Sequence, residues 1–96
     1  MTKHEKAYHD AIRSLGCVVC LIHVGVRSDC DIHHRLDGRR RMGEMHVLGL
    51  CPTHHRGGFN NPECVSRHPY KRAFEARYGT EQSLQDEADK LIRRAA

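Results

Sequence analysis

Two short stretches carry paired histidines: "DIHHRLDG" at residues 31–38 and "LCPTHHRGG" at residues 50–58. The 96-residue chain holds nine histidines and five cysteines, and most of them fall between residues 17 and 68. Thiolate and neutral imidazole are ligands that tetrahedral Zn²⁺ prefers. Cys17 and Cys20 form a CxxC, which alone fits a redox pair or half of a metal site. Cys51 and His54 repeat the two-residue gap after 30 intervening residues, completing a four-ligand N/S set. A thioredoxin-like role needs a βαβ context that the chain does not show. A structural Zn²⁺ on Cys17, Cys20, Cys51 and His54 is therefore expected, worth about 10–16 kcal/mol of apparent binding energy. Cys30 and Cys64 are left over; they are either ordinary thiols or alternatives to His54 as fourth ligand.

With His54 on zinc, His33, His34, His46, His55 and His68 remain within a 36-residue span. Imidazole is both a common transition-metal ligand and the side chain whose ordinary pKa suits base catalysis near neutral pH. An adjacent pair can divide that labour, one ring on a metal and one on a water. Strand geometry opposes this: neighbours point to opposite faces, so His33 and His34 share a site only where a strand ends or bulges. His4, His9 and His23 read as surface or hydrogen-bonded structural residues.

The formal charge is +4, and its distribution is uneven. "RLDGRRR" places Arg35, Arg39, Arg40 and Arg41 within seven positions, and Arg56, Arg67, Lys71 and Arg72 follow the second histidine pair. Acidic residues gather in "TEQSLQDEAD" after residue 80. Positive charge around the histidine-rich middle suits a phosphate backbone.

The elements that must position these groups follow from spacing. Ala7, Ala11, Ile12 and Leu15 recur at helical intervals over residues 3–15, with Gly16 placed as a left-handed cap. "CVVCLIHV" reads as a tight turn flanked by apolar residues. "SDCDIHHRL" and "MHVLGLC" read as two strands of a hairpin with a long Gly- and Arg-rich loop. "RGGFNNPE" reads as loop. Pro69 fits the first turn of a helix through "YKRAFEARY", ended by Gly79, with Ala73, Phe74 and Tyr78 inward. Thr80 caps a last helix bearing Leu84, Ala88, Leu91 and Ile92.

The order is α, β-hairpin, α, α: an α+β chain, and one domain over residues 1–96 on length grounds. With two Phe, three Tyr and no Trp, its core must be thin. An odd cysteine count, no apolar leader and no membrane-length stretch argue against a secreted disulfide scaffold and for a reduced, cytoplasmic protein.

The combined pattern resembles the HNH (ββα-metal) endonucleases: "DIHH" is similar to their first element, "HVLGLC" to the central strand, and "LCPTHH" to the element ending in a metal-binding histidine. It resembles most closely the phage recombination-enhancement nucleases of the Ref type, which share a CxxC, an HH pair, an LCxxHH and a later His before a segment like "FEARYGTE". The resemblance covers roughly residues 8–86. It implies a small zinc-stabilised ββα-metal core with an N-terminal helix and two C-terminal helices.

It further implies that His34 is the general base and that His33 and His55 hold a catalytic divalent metal, with His68 a further contact to metal or phosphate. His46 stands where HNH proteins often carry the Asn that braces the ββ loop. The implied activity is metal-dependent hydrolysis of DNA phosphodiesters in recombination or DNA processing, with little sequence preference. Arg35, Arg39, Arg40, Arg41 and Arg56 would hold neighbouring phosphates. Imidazole ligands favour Mn²⁺, Ni²⁺ or Zn²⁺, and family behaviour allows Mg²⁺. The implied partners are DNA and a recombinase–DNA filament, in a bacterial host cell with a phage or prophage gene, the protein being a monomer or weak dimer. The competing reading is a non-catalytic zinc module that binds nucleic acid; it has no use for His33 and His34.

Overall fold

A computed structural model describes residues 1–57 and 64–95. Helix α1 (Lys3–Leu15) starts at a capping box. The Glu5 N–H donates to the Thr2 hydroxyl at 3.1 Å, and the Thr2 N–H donates to the Glu5 carboxylate at 2.7 Å. Gly16 ends the helix at φ +85°, the positive φ expected of a glycine cap, but its ψ of −160° lies outside the αL well. The cause lies in the next residue, whose N–H is drawn to the Ser28 carbonyl at 2.9 Å.

The expected tight turn at residues 17–24 is also revised. Val18 and Val19 are helical, and Cys20–Val24 form a π-helical turn. Nothing in this segment breaks a helix, both valines are fully buried, and Gly25 (φ +82°, ψ +17°) closes the wide turn by donating to the Cys20 carbonyl at 2.8 Å.

Strand β1 (Asp31–His34) then pairs antiparallel with β4 (Val47–Leu50), in the register Asp31↔Leu50 to His34↔Val47. The connection is more ordered than its composition suggests. It contains a ribbon of β2 (Leu36–Asp37) and β3 (Arg40–Arg41), turned at Gly38 and Arg39. Cys51 is extended and leads into α2 (Pro52–Arg56), with proline at the helix start where its missing N–H costs nothing. Arg56 thus closes a helix instead of opening a loop, and residues 58–63 of the expected loop lie outside the described residues.

Helix α3 (Lys71–Tyr78) begins two residues after Pro69, not with Pro69 in its first turn, because Tyr70 holds a non-helical φ −96°, ψ +52°. Its Phe74 and Tyr78 point inward as expected. Helix α4 (Glu81–Ala95) is capped by the Thr80 hydroxyl, which accepts from the Ser83 N–H at 3.1 Å. Leu84 and Ala88 are buried and Ile92 packs beside them, whereas Leu91 is half-buried.

Helices α1 and α4 pack on one another and both meet the buried strand β4. Ile12, Leu48, Leu50, Phe74 and Leu84 form the centre of the resulting core. A polar network crosses the same junction. The Tyr8 hydroxyl donates to Asp89 at 2.6 Å, and the Gln85 amide donates to Tyr8 at 2.9 Å and to the Met45 carbonyl at 2.7 Å. Among the described residues, no helix is long and apolar enough to cross a membrane.

Gly49 of β4 lies tightly against the cap residue that follows α1 and the cysteine that precedes β1. A Cβ there would lie 2.6 Å from the Gly16 carbonyl oxygen and 2.7 Å from the Cys30 sulfur. Gly49→Ala is expected to destabilise the protein by about 1–3 kcal/mol, the range for overpacking a tight interior. Urea denaturation checks this; an unchanged midpoint would mean that the contact is slack.

Candidate metal centres and cleft

The CxxC knuckle and the start of α2 converge. Cys17, Cys20, Cys51 and His54 each place one ligand atom within 4.8 Å of the others. The Cys20 and Cys51 sulfurs are 3.8 Å apart, and His54 Nδ1 lies 3.6, 3.5 and 3.1 Å from the sulfurs of Cys17, Cys20 and Cys51. A tetrahedral ion with arms of about 2.3 Å to sulfur and 2.0 Å to nitrogen would produce edges of about 3.8 and 3.5 Å, so the donor set fits one. Burial pushes the Cys17 thiol well up and the His54 imidazole down. The histidine is thereby kept in its ligating form, while the Cys17 thiol needs a cation to deprotonate it. Cys30 turns its thiol to the Ile12 carbonyl at 3.8 Å, and Cys64 is buried beside Tyr78; neither belongs to the four.

One residue on, the same helix supplies a second group. The rings of His33, His55 and His68 form a near-equilateral triangle, with centroids 5.3, 5.1 and 5.1 Å apart. One nitrogen of each lies within 4.8 Å of the others, so this set too could hold a metal ion. His33 comes from β1 and His55 from α2. His68 is brought in by main-chain bonds: the Arg67 and His68 N–H groups donate to the His54 and His55 carbonyls at 2.7 and 2.9 Å. Burial lowers His55, and burial followed by the charges of His33 and Arg67 lowers His68 to about 4. Both rings are therefore neutral and ligand-competent at pH 7.

Two of the three rings carry a carboxylate partner, as metal-ligating imidazoles commonly do. His33 Nε2 lies 2.9 Å from Glu81, and His55 Nδ1 lies 3.5 Å from Asp31. Glu81 is buried at the start of α4 and also accepts from Arg67. Burial alone would raise its carboxyl, but the bonds from His33 and Arg67 outweigh it and hold Glu81 at about 2.

His34 ends β1 and borders the same cleft as this triangle, with Arg41 and Arg56 also in its lining; the cleft encloses about 170 Å³. The strand ends here, so its two adjacent histidines can both reach one cleft although their partners differ. His34 Nε2 lies 3.1 Å from the Glu44 carboxylate, and His9 Nε2 lies 2.6 Å from the Glu44 carbonyl. The hydrogen bond with His34 keeps Glu44 below the usual carboxylate range.

The arginines separate into two kinds. Arg39, Arg40, Arg41 and Arg56 are exposed. Arg35 is buried, and its guanidinium donates to Gln85 at 2.6 Å and to Gln82 at 3.0 Å, tying the end of β1 to α4. Its side chain is therefore held in the interior rather than offered to a phosphate. His46 acts through its main chain: its carbonyl accepts from the Arg35 N–H at 2.9 Å and its N–H donates to the Gly43 carbonyl at 3.1 Å. His23 is structural, 3.1 Å from the Tyr78 carbonyl.

Sequence reasoning missed Glu81, Glu44 and the placement of His9. Glu81 and Gln85 fall at the i and i+4 steps that extend the apolar stripe of Leu84 and Ala88, which is the signal that could have flagged a buried acid on α4.

Two outcomes follow from this geometry. Cys17→Ser is expected to lose bound metal and the cooperative thermal transition together, measured by elemental mass spectrometry and calorimetry; a fully stable, metal-free variant would contradict the four-ligand reading. Glu81→Gln is expected to weaken Mn²⁺ binding at the three-histidine group about 10-fold, at the low end for loss of such a partner, while the thiol site stays filled. Unchanged Mn²⁺ affinity would detach Glu81 from that site.

No curated protein matches the chain significantly. The family model described as recombination enhancement, RecA-dependent nuclease matches residues 1–93. With three side-chain groups that could hold a metal ion among the described residues, one of them lining a cleft with Arg41 and Arg56, and with nearly its whole length matched, the chain belongs to this family of RecA-dependent nucleases.

Proposed function

We propose that the protein is a metal-dependent DNA endonuclease of the HNH type, a single domain over residues 1–96 whose β1, β4 and α2 form the ββα-metal core. The observation that supports this most is the cleft itself: a triangle of three imidazoles, a fourth histidine on the same wall, and Arg41 and Arg56 at its sides. In this reading Cys17, Cys20, Cys51 and His54 hold a structural Zn²⁺. His33, His55 and His68 hold one catalytic divalent ion, Mg²⁺ or Mn²⁺, although Zn²⁺ and Ni²⁺ also suit imidazole.

His34, unprotonated, removes a proton from the water that attacks the phosphodiester in line with its leaving oxygen. The cation, when bound, stabilises negative charge growing on the phosphate and the leaving oxygen. Exposed Arg39, Arg40, Arg41 and Arg56 clamp flanking phosphates and set the register of the strand. Arg35 contributes by holding the end of β1 against α4. His46 braces the loop through its main-chain bonds. RecA-coated DNA is the substrate context that the family membership favours.

The test is nicking of supercoiled plasmid, naked and RecA-coated, by wild type and His34→Ala with Mg²⁺, Mn²⁺ or chelator. Wild type is expected to nick, with chelator abolishing the reaction. His34→Ala should keep DNA binding and metal content and lose about 10²–10⁴-fold in rate. Wild-type cutting by His34→Ala would remove it as base. DNA binding without cutting on either substrate would favour a zinc-held binding module, in which His33 and His34 are idle.

A further inference from the structure

Apart from the thiol group and the three-histidine group, His9, His34 and Glu44 form a third cluster, drawn from three separate segments: α1, the end of β1 and the loop before β4. Their contacts determine where the protons are. Main-chain carbonyl and ionised carboxylate oxygens can only accept hydrogen bonds. His9 Nε2, 2.6 Å from the Glu44 carbonyl, must therefore carry a hydrogen, and so must His34 Nε2, 3.1 Å from the Glu44 carboxylate. Both facing nitrogens are thus donors toward Glu44. With that tautomer, the lone pair of the His34 ring is on Nδ1.

We infer that Glu44 is a positioning residue that fixes the tautomer and ring orientation of His34, and that His9 holds Glu44 in place for this role. His9 is 3% exposed and anchored in α1, so its bond to the Glu44 carbonyl immobilises the main chain of an otherwise half-open loop. His9 Nε2 also lies 3.4 Å from the Glu44 carboxylate, and the His9 and His34 rings meet edge to face at 5.9 Å. The loop is closed on its other side by the Gly43–His46 main-chain bond at 3.1 Å. After His34 takes a proton, Glu44 faces an imidazolium and stabilises it, as an acceptor-only anion must. Orientation of the base is thereby built from the first helix, far from the cleft in sequence.

This inference rests on the reading of His34 as the general base, and two measurements keep the two claims apart. The first is side-chain ¹⁵N–¹H correlation NMR of His34, which needs no cleavage. The wild type is expected to show the proton on Nε2, and Glu44→Ala to lose that preference. A wild-type proton on Nδ1, or a tautomer unaffected by Glu44→Ala, overturns the inference whether or not the protein cuts DNA.

The second is single-turnover nicking. Glu44→Ala is expected to slow it about 10–100-fold, part of what a general base supplies, with KM for DNA and metal content unchanged. Glu44→Gln, which keeps an acceptor oxygen, is expected to recover much of the rate. In a His34→Ala background Glu44→Ala should add no further loss, because it acts only through that ring. Equal losses in both backgrounds would overturn the assignment. A wild type that does not cut would refute the nuclease reading and leave the NMR result to decide the role of Glu44.

Discussion

Everything in this small structure depends on one five-residue helix that must satisfy two sites at once. Adjacent residues on an α-helix are rotated by about 100°, so they cannot face the same way. In α2 this rotation turns His54 into the thiol group and His55 into the imidazole group. Helix α2 is too short to be stable alone. Its hold comes from Cys51 and His54 on one side, and from main-chain bonds that zip residues 67–68 onto its carbonyls on the other. A cation between Cys17, Cys20, Cys51 and His54 would therefore set the position of His55 and His68 without touching either.

The same logic explains how few large side chains the chain needs. Phe74 and a handful of aliphatic residues form the buried centre, while polar ties carry much of the specification. Arg35 joins β1 to α4 through two glutamines, and Glu81 joins α4 to β1 and to Arg67. All of these ties except the half-open Arg35–Gln82 bond are buried, and removal of one buried partner leaves an uncompensated polar group, which makes these contacts directional where the apolar core is not. They orient the histidine-bearing strand against α4, and hence one edge of the cleft.

Local patterns were readable in the sequence to the extent that their cause is local. The CxxC, the CxxH, the apolar stripe of α1 and the Thr80 cap of α4 each depend on residues a few positions apart, and the β1–β4 hairpin showed as two apolar runs joined by a Gly- and Arg-rich loop. The π-turn after Cys20 and the ribbon β2–β3 depend on burial and pairing that short patterns do not record. Arg35 looked like one of four equivalent arginines, yet its fate is decided by glutamines 47 and 50 positions later. His9 looked structural and is indeed buried, but its partner lies 35 residues away. The strand objection to His33 and His34 sharing a cleft was sound for a continuing strand, and it lapses because β1 stops at His34.

The division of labour between neighbours on α2 is the centre of this account, and a side-by-side comparison of His54→Ala and His55→Ala tests it most directly. Zinc content, thermal transition and plasmid nicking are measured for both. His54→Ala is predicted to lose zinc and cooperative folding together, whereas His55→Ala keeps one zinc per chain and a near-native transition but no longer cuts. Loss of zinc by His55→Ala, or wild-type nicking by it, would contradict the partition.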